Sequence, residues 1–122
     1  MEDGEPKKFE TLQKVKDMML YAYPALAQFP KSEKFAMVAR IKDIMDDMLE
    51  MCIEVENKIY RKNTLQNLDI ANKKLKNYIQ MAHLLKFLPT HKYEVWSGMV
   101  VEIGKMIGGM LKAAKQNANH RE

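Results

Sequence analysis

Residues 38–59 read VARIKDIMDDMLEMCIEVENKI. Val38, Ile41, Met45, Met48, Cys52, Val55 and Ile59 recur at spacings of three and four, which places them on one face of an α-helix. At about 100° per residue, Asp43, Asp47, Glu50 and Glu54 turn to the opposite face and point toward water or a partner. A helix with one unbroken apolar seam and an acidic back must bury that seam against other elements. Ser32, just after Pro30 and Lys31, is its expected N-cap.

The same period extends outward in both directions. Upstream, a helix is expected from Phe9 to Gln28, with Leu12, Val15, Met19, Ala22 and Leu26 inward. Pro24 lacks an N–H and clashes with the carbonyl of Leu20, so this helix kinks or ends early. Downstream, Asn63 or Thr64 is the expected cap of a third helix with the seam Leu65, Leu68, Asn72, Leu75, Ile79 and Ala82, ending before Pro89. Thr90 caps a fourth, with Tyr93, Trp96, Val100, Ile103, Ile107, Met110 and Ala114 inward. Glu94 falls in its first turn, and Lys112 and Lys115 in its expected last turn, as the helix dipole favours. Long amphipathic helices with short connections predict an all-α, antiparallel up-down four-helix bundle over residues 8–115, with frayed ends at 1–7 and 116–122.

Composition narrows the function classes. The 122 residues suffice for one core and one domain. No run is apolar enough to span a bilayer, and MEDGEPKKFE lacks the apolar centre of a signal peptide, so a cytoplasmic protein without membrane attachment is expected. One cysteine, Cys52, allows neither an intrachain disulfide nor a Cys-based zinc site, and its place in an apolar seam makes it an inert buried thiol. The 11 methionines fall mostly in the seams, as adaptable core filler. A di-iron bundle needs carboxylates in the core and a Glu-x-x-His pair, whereas here the carboxylates face outward and the nearest match is Gln80 with His83. His83, His91 and His120 form no helical pair or nucleophile motif and are expected at the surface. No enzyme activity, cofactor or metal is expected.

Charge is polarised along the chain. Residues 1–57 carry 8 Lys/Arg against 12 Asp/Glu, a balance of −4, whereas residues 58–122 carry 12 against 4, a balance of +8. Lys58, Arg61, Lys62, Lys73, Lys74 and Lys76 flank the junction of the second and third helices, and Lys105, Lys112 and Lys115 lie on the outer side of the fourth. In a monomer these are a solvated face; in an oligomer the repeated field makes a phosphate backbone a credible partner. Leu84 and Phe87 are expected to project from the bundle and to need cover. Ser97, Val101, Gly104 and Gly108 form a stripe of small residues away from the fourth seam. A helix-interior glycine costs about 1 kcal/mol relative to alanine, so close approach of another copy's helix is the expected reason.

Three stretches in order, YAYPALAQFPKSEKF, IANKKLKNYIQMAHLLKFL and EIGKMIGGMLK, resemble the accessory variability determinant proteins of diversity-generating retroelements over residues 9–114. That resemblance implies a homopentameric barrel of four-helix protomers, basic on its surface. It also implies that the barrel binds nucleic acid, template RNA or DNA, and a reverse transcriptase during mutagenic cDNA synthesis, without chemistry of its own. Only Lys105 and the Gly104-Gly108-Gly109 stripe match the family motif residue by residue; the other lysines rest on charge. The four-helix proteins encoded in 23S ribosomal RNA intervening sequences are similar in plan, but their Asn-Ile-Ala-Glu-Gly stretch is here Glu56-Asn57-Lys58-Ile59-Tyr60. A helical scaffold without nucleic-acid binding is the third reading.

Overall fold

A computed structural model describes residues 8–57 and 61–120. The helices are α1 (Lys8–Leu26), α2 (Met37–Asn57), α3 (Arg61–Leu84) and α4 (Thr90–His120), with a 3-10 turn at Lys31–Glu33. Among the described residues α1 packs on α2 and α4, and α3 packs on α2 and α4, so the four helices form a square. Short connections make neighbours antiparallel. They put the α1–α2 and α3–α4 corners at the same end, where Phe29 and Phe87 meet with ring centroids 5.8 Å apart.

The seams of α2, α3 and α4 point inward as expected. Val38, Ile41, Met45, Met48, Cys52 and Val55 are buried, as are Leu65, Leu68, Asn72, Leu75, Ile79 and Ala82, and Trp96, Val100, Ile103, Ile107 and Met110. Ile59 lies outside the described residues. On α1 the inward face is shifted: Val15, Met18, Ala22, Ala25 and Leu26 are buried, while Leu12 and Met19 are only partly covered. Met18 and Met19 are adjacent and equally apolar, so spacing alone does not choose between them.

Helix ends depart from the expected positions for local reasons. Pro24 stands inside α1, two residues before its end. Pro24 and Leu20 are both exposed, so the carbonyl that Pro24 leaves unbonded lies on the solvent side. The chain then tightens through Gln28 N–H to Ala25 O at 3.1 Å and Phe29 N–H to Leu26 O at 3.1 Å, and never reaches Gln28 as α-helix. Ser32 does not cap α2, because it is spent in the 3-10 turn. Instead Glu33 Oε1 accepts from Met37 N–H at 3.4 Å. Asn63 and Thr64 lie inside α3, with Thr64 buried. α4 runs through residues 116–120, so Lys112 and Lys115 sit in its body rather than its last turn.

The end of α3 carries one backbone exception. Lys86 has φ 68°, a left-handed conformation that side chains resist. Its N–H bonds to His83 O at 2.9 Å and Phe87 N–H bonds to Ala82 O at 2.8 Å, the paired closure that usually has glycine where Lys86 stands. The turn reverses the chain and delivers Phe87 to Phe29. Lys86→Gly is therefore expected to stabilise the fold by about 0.5–1 kcal/mol, less what glycine adds to unfolded-chain entropy. A higher urea midpoint at unchanged slope checks it, and a lower midpoint refutes the strain assignment.

His83 and Phe87 are both corrections. His83 is half-buried, with Nδ1 3.0 Å from the Leu88 carbonyl; since a carbonyl only accepts, Nδ1 carries the proton. The His83 ring stacks on Tyr93 at 4.4 Å, clamping the α3–α4 corner. Phe87 is half-buried against Phe29, so it closes its own corner rather than projecting outward. Leu84 does project, at 63% exposure.

Candidate nucleic-acid interface

Asn72 is where α3 and α4 lock. It is buried, and its Nδ2 donates to Val100 O at 3.1 Å. A Cβ built on Gly104 would stand 3.2 Å from that Nδ2, so Gly104 admits the side chain that bridges the two helices. A reason for this glycine thus lies within the chain itself. Gly108 differs: a Cβ there meets nothing within 4 Å.

Close approach at this crossing leaves a shallow groove of about 290 Å³, lined by Asp69, Asn72, Lys73 and Lys76 of α3 and Val100, Val101, Gly104 and Lys105 of α4. Three lysines expected from separate parts of the sequence thereby meet around one floor. Their ammonium groups surround a largely apolar base, so they suit ligands that present repeated negative charge. Lys73 is partly engaged, with Nζ 2.9 Å from Asp69 Oδ2 one turn away.

The seam extends beyond the groove. The Asn72–Val100 contact fixes the antiparallel register, which brings exposed Lys62 of α3 level with the stretch of α4 holding Lys112. Lys112 follows Lys105 by seven residues, close to two helical turns, so both share a face. Lys74 does not join them: at about 100° per residue it turns to the other flank of α3, with exposed Ile70 and Met81. Lys115 is exposed and Arg61 half-buried, while Lys58 lies outside the described residues. Of the small-residue stripe, Ser97 and Gly104 are half-buried and Val101 and Gly108 exposed. Val101 and Gly104 line the basic groove itself.

The remaining polar clusters offer less. Asp43, Asp47, Glu50 and Glu54 are all exposed on the outer side of α2. Among the described residues no three His, Cys, Asp or Glu side chains converge on a metal-sized site, and no helix is long and apolar enough to cross a membrane. Burial, then the Glu56 carboxylate, push the Cys52 thiol up to about 12. Native protein at neutral pH should therefore resist thiol reagents and react stoichiometrically only once unfolded. Rapid labelling of the native chain would contradict this burial.

A square four-helix bundle whose α3–α4 seam carries the converging lysines defines a small helical protein with one basic groove. The family model described as bAvd-like matches residues 11–114, and the chain belongs to that family. This agrees with the resemblance to accessory variability determinant proteins drawn from the sequence. None of the curated proteins compared with the chain is similar to it.

Proposed function

We propose that this chain is the non-catalytic accessory protein of a diversity-generating retroelement. It holds template RNA or its DNA copy on the α3–α4 seam and presents it to a reverse transcriptase in the cytoplasm. The observation that carries this reading is the convergence of Lys73, Lys76 and Lys105 on one groove, in a chain of the bAvd-like family. Lysine heads are point charges that neutralise phosphates without reading bases, which suits a protein that must hold many sequences. A homopentamer multiplies the seam around a barrel, with exposed Leu84 and the open Gly108 positions as contacts between copies.

Two measurements test this. Light scattering should give close to five times the 14.2 kDa protomer mass. Fluorescence anisotropy with a structured RNA should show affinity falling steeply between low and moderate salt, as counterion release requires. Salt-independent binding would favour a scaffold without nucleic-acid contacts. A monomer at micromolar concentration would remove the barrel.

A further inference from the structure

The α1–α2 corner holds a second cavity, of about 230 Å³, at the end of the bundle away from the middle of the α3–α4 groove. Tyr23, Leu26, Phe29, Pro30 and Val38 form its apolar lining, and Lys31, Lys34 and Lys42 rim it. Leu26, Phe29 and Val38 are buried, so the floor is firm core rather than loose loop. The volume falls below the roughly 300–1,000 Å³ of pockets for drug-sized ligands, which leaves room for about one ring system.

Two of the lysines are arranged by the backbone. The 3-10 turn Lys31–Glu33 is closed by Lys34 N–H on Lys31 O. In such a turn residues three apart eclipse, so Lys31 and Lys34 stand one above the other about 6 Å apart. Among the described residues none of Lys31, Lys34 and Lys42 has a carboxylate partner. Two instead lie over aromatic rings: Lys42 Nζ is 4.7 Å from the Tyr23 centroid and Lys34 Nζ is 5.4 Å from the Phe35 centroid. Phe35 is 87% exposed and stands outside the pocket, next to Lys34, where it lines a neighbouring hollow with Glu33, Arg40 and Asp43.

We propose that this corner binds unpaired nucleotides of a single strand, taking one base into the pocket beside Tyr23, a neighbouring base on Phe35, and the connecting phosphates on Lys31 and Lys34. Exposed aromatic faces interleaved with cations are what sequence-tolerant single-strand binding uses. Two lysines rising from backbone positions about 6 Å apart suit consecutive phosphates better than one carboxylate of a peptide. Burial, then Asp46 and Asp43, raise the Tyr23 phenol above its ordinary range. The phenol stays neutral, so it adds no charge of its own to those carboxylates.

This site rests on the nucleic-acid reading but makes a separate claim, that bases as well as phosphates are bound. Full-length protein is titrated against labelled oligouridylate and against an abasic backbone of equal length. Wild type should prefer the base-bearing strand about tenfold or more. Phe35→Ala, at an exposed position whose helicity should not change, and Tyr23→Ala should each move that ratio toward one. Replacing Lys73, Lys76 and Lys105 with Gln should weaken both ligands and leave the ratio intact. Equal wild-type affinity for both strands overturns the corner site and leaves the groove reading standing. Should neither strand bind, the groove reading falls and amide shifts with uridine monophosphate decide the corner. Shifts at Tyr23, Lys31, Lys34 and Val38 that ribose phosphate does not reproduce support it, and their absence overturns it. Competition by an acidic aromatic peptide but not by the oligonucleotide also overturns it.

Discussion

Replacing Lys73, Lys76 and Lys105 together with Gln should weaken RNA binding about 100-fold at 0.1 M salt and flatten the log-log salt slope by about two. Each single-strand phosphate contact contributes a slope of about −0.7, so three contacts account for about two decades of affinity at that concentration. Glutamine removes charge without introducing the repulsion that glutamate would add. The three positions are not equivalent, because Asp69 lies 2.9 Å from Lys73. Lys73→Gln alone should therefore be the mildest of the single variants. Asp69→Asn should tighten binding by up to about fivefold, by freeing one cation. Mass by light scattering must be followed in parallel, since Val101 and Gly104 line the same groove. If the triple variant dissociates the assembly but the remaining protomer binds RNA as before, the groove is a contact between copies. If neither mass nor affinity changes, these lysines are a solvated face.

That convergence was only half legible in the sequence. The three lysines stood out as charges, but Lys76 and Lys105 are 29 residues apart. What joins them is the register set by Asn72 on Val100 and the space Gly104 leaves for it. Gly104 itself was visible, yet nothing in helical spacing distinguishes a neighbouring helix of the same chain from one of another copy. Lys74 was grouped with Lys73 and Lys76 because it adjoins them in sequence, and helical rotation separates it. The seams of α2, α3 and α4 were readable because each repeats for several turns and its burial is cooperative. Helix ends were not, because a single competing bond decides them: Glu33 on the Met37 N–H displaced Ser32 as cap. Phe87 was misplaced for a similar reason, since the left-handed turn at Lys86 breaks the helical phase that pointed Phe87 outward. The corner lysines drew no attention as a site, although Lys31 and Lys34 stand three apart beside Phe35 in the sequence.

Trp96→Ala should cost about 3–5 kcal/mol, the range for deleting a buried aromatic side chain. Trp96 is the chain's single tryptophan, is 0% exposed, and is among the largest side chains of the core. Domains of this size have roughly 5–15 kcal/mol in total, so the variant should be close to unfolding at ordinary temperature. Trp96→Phe separates two contributions. The indole Nε1 is buried with no hydrogen-bond partner among the described residues, and an unsatisfied buried donor costs about 1–3 kcal/mol. Phenylalanine gives up part of the packing but removes that donor, so its net cost should stay within about 1.5 kcal/mol. Both variants lose the fluorescent reporter, so unfolding in urea is followed by helical circular dichroism. Protein concentration is held fixed, because association adds to apparent stability. A large loss in the phenylalanine variant would mean that Nε1 has a partner, such as an ordered water, which the substitution strands. A loss below about 1 kcal/mol in the alanine variant would mean that the space beside Trp96 can collapse, and that the core does not centre on it.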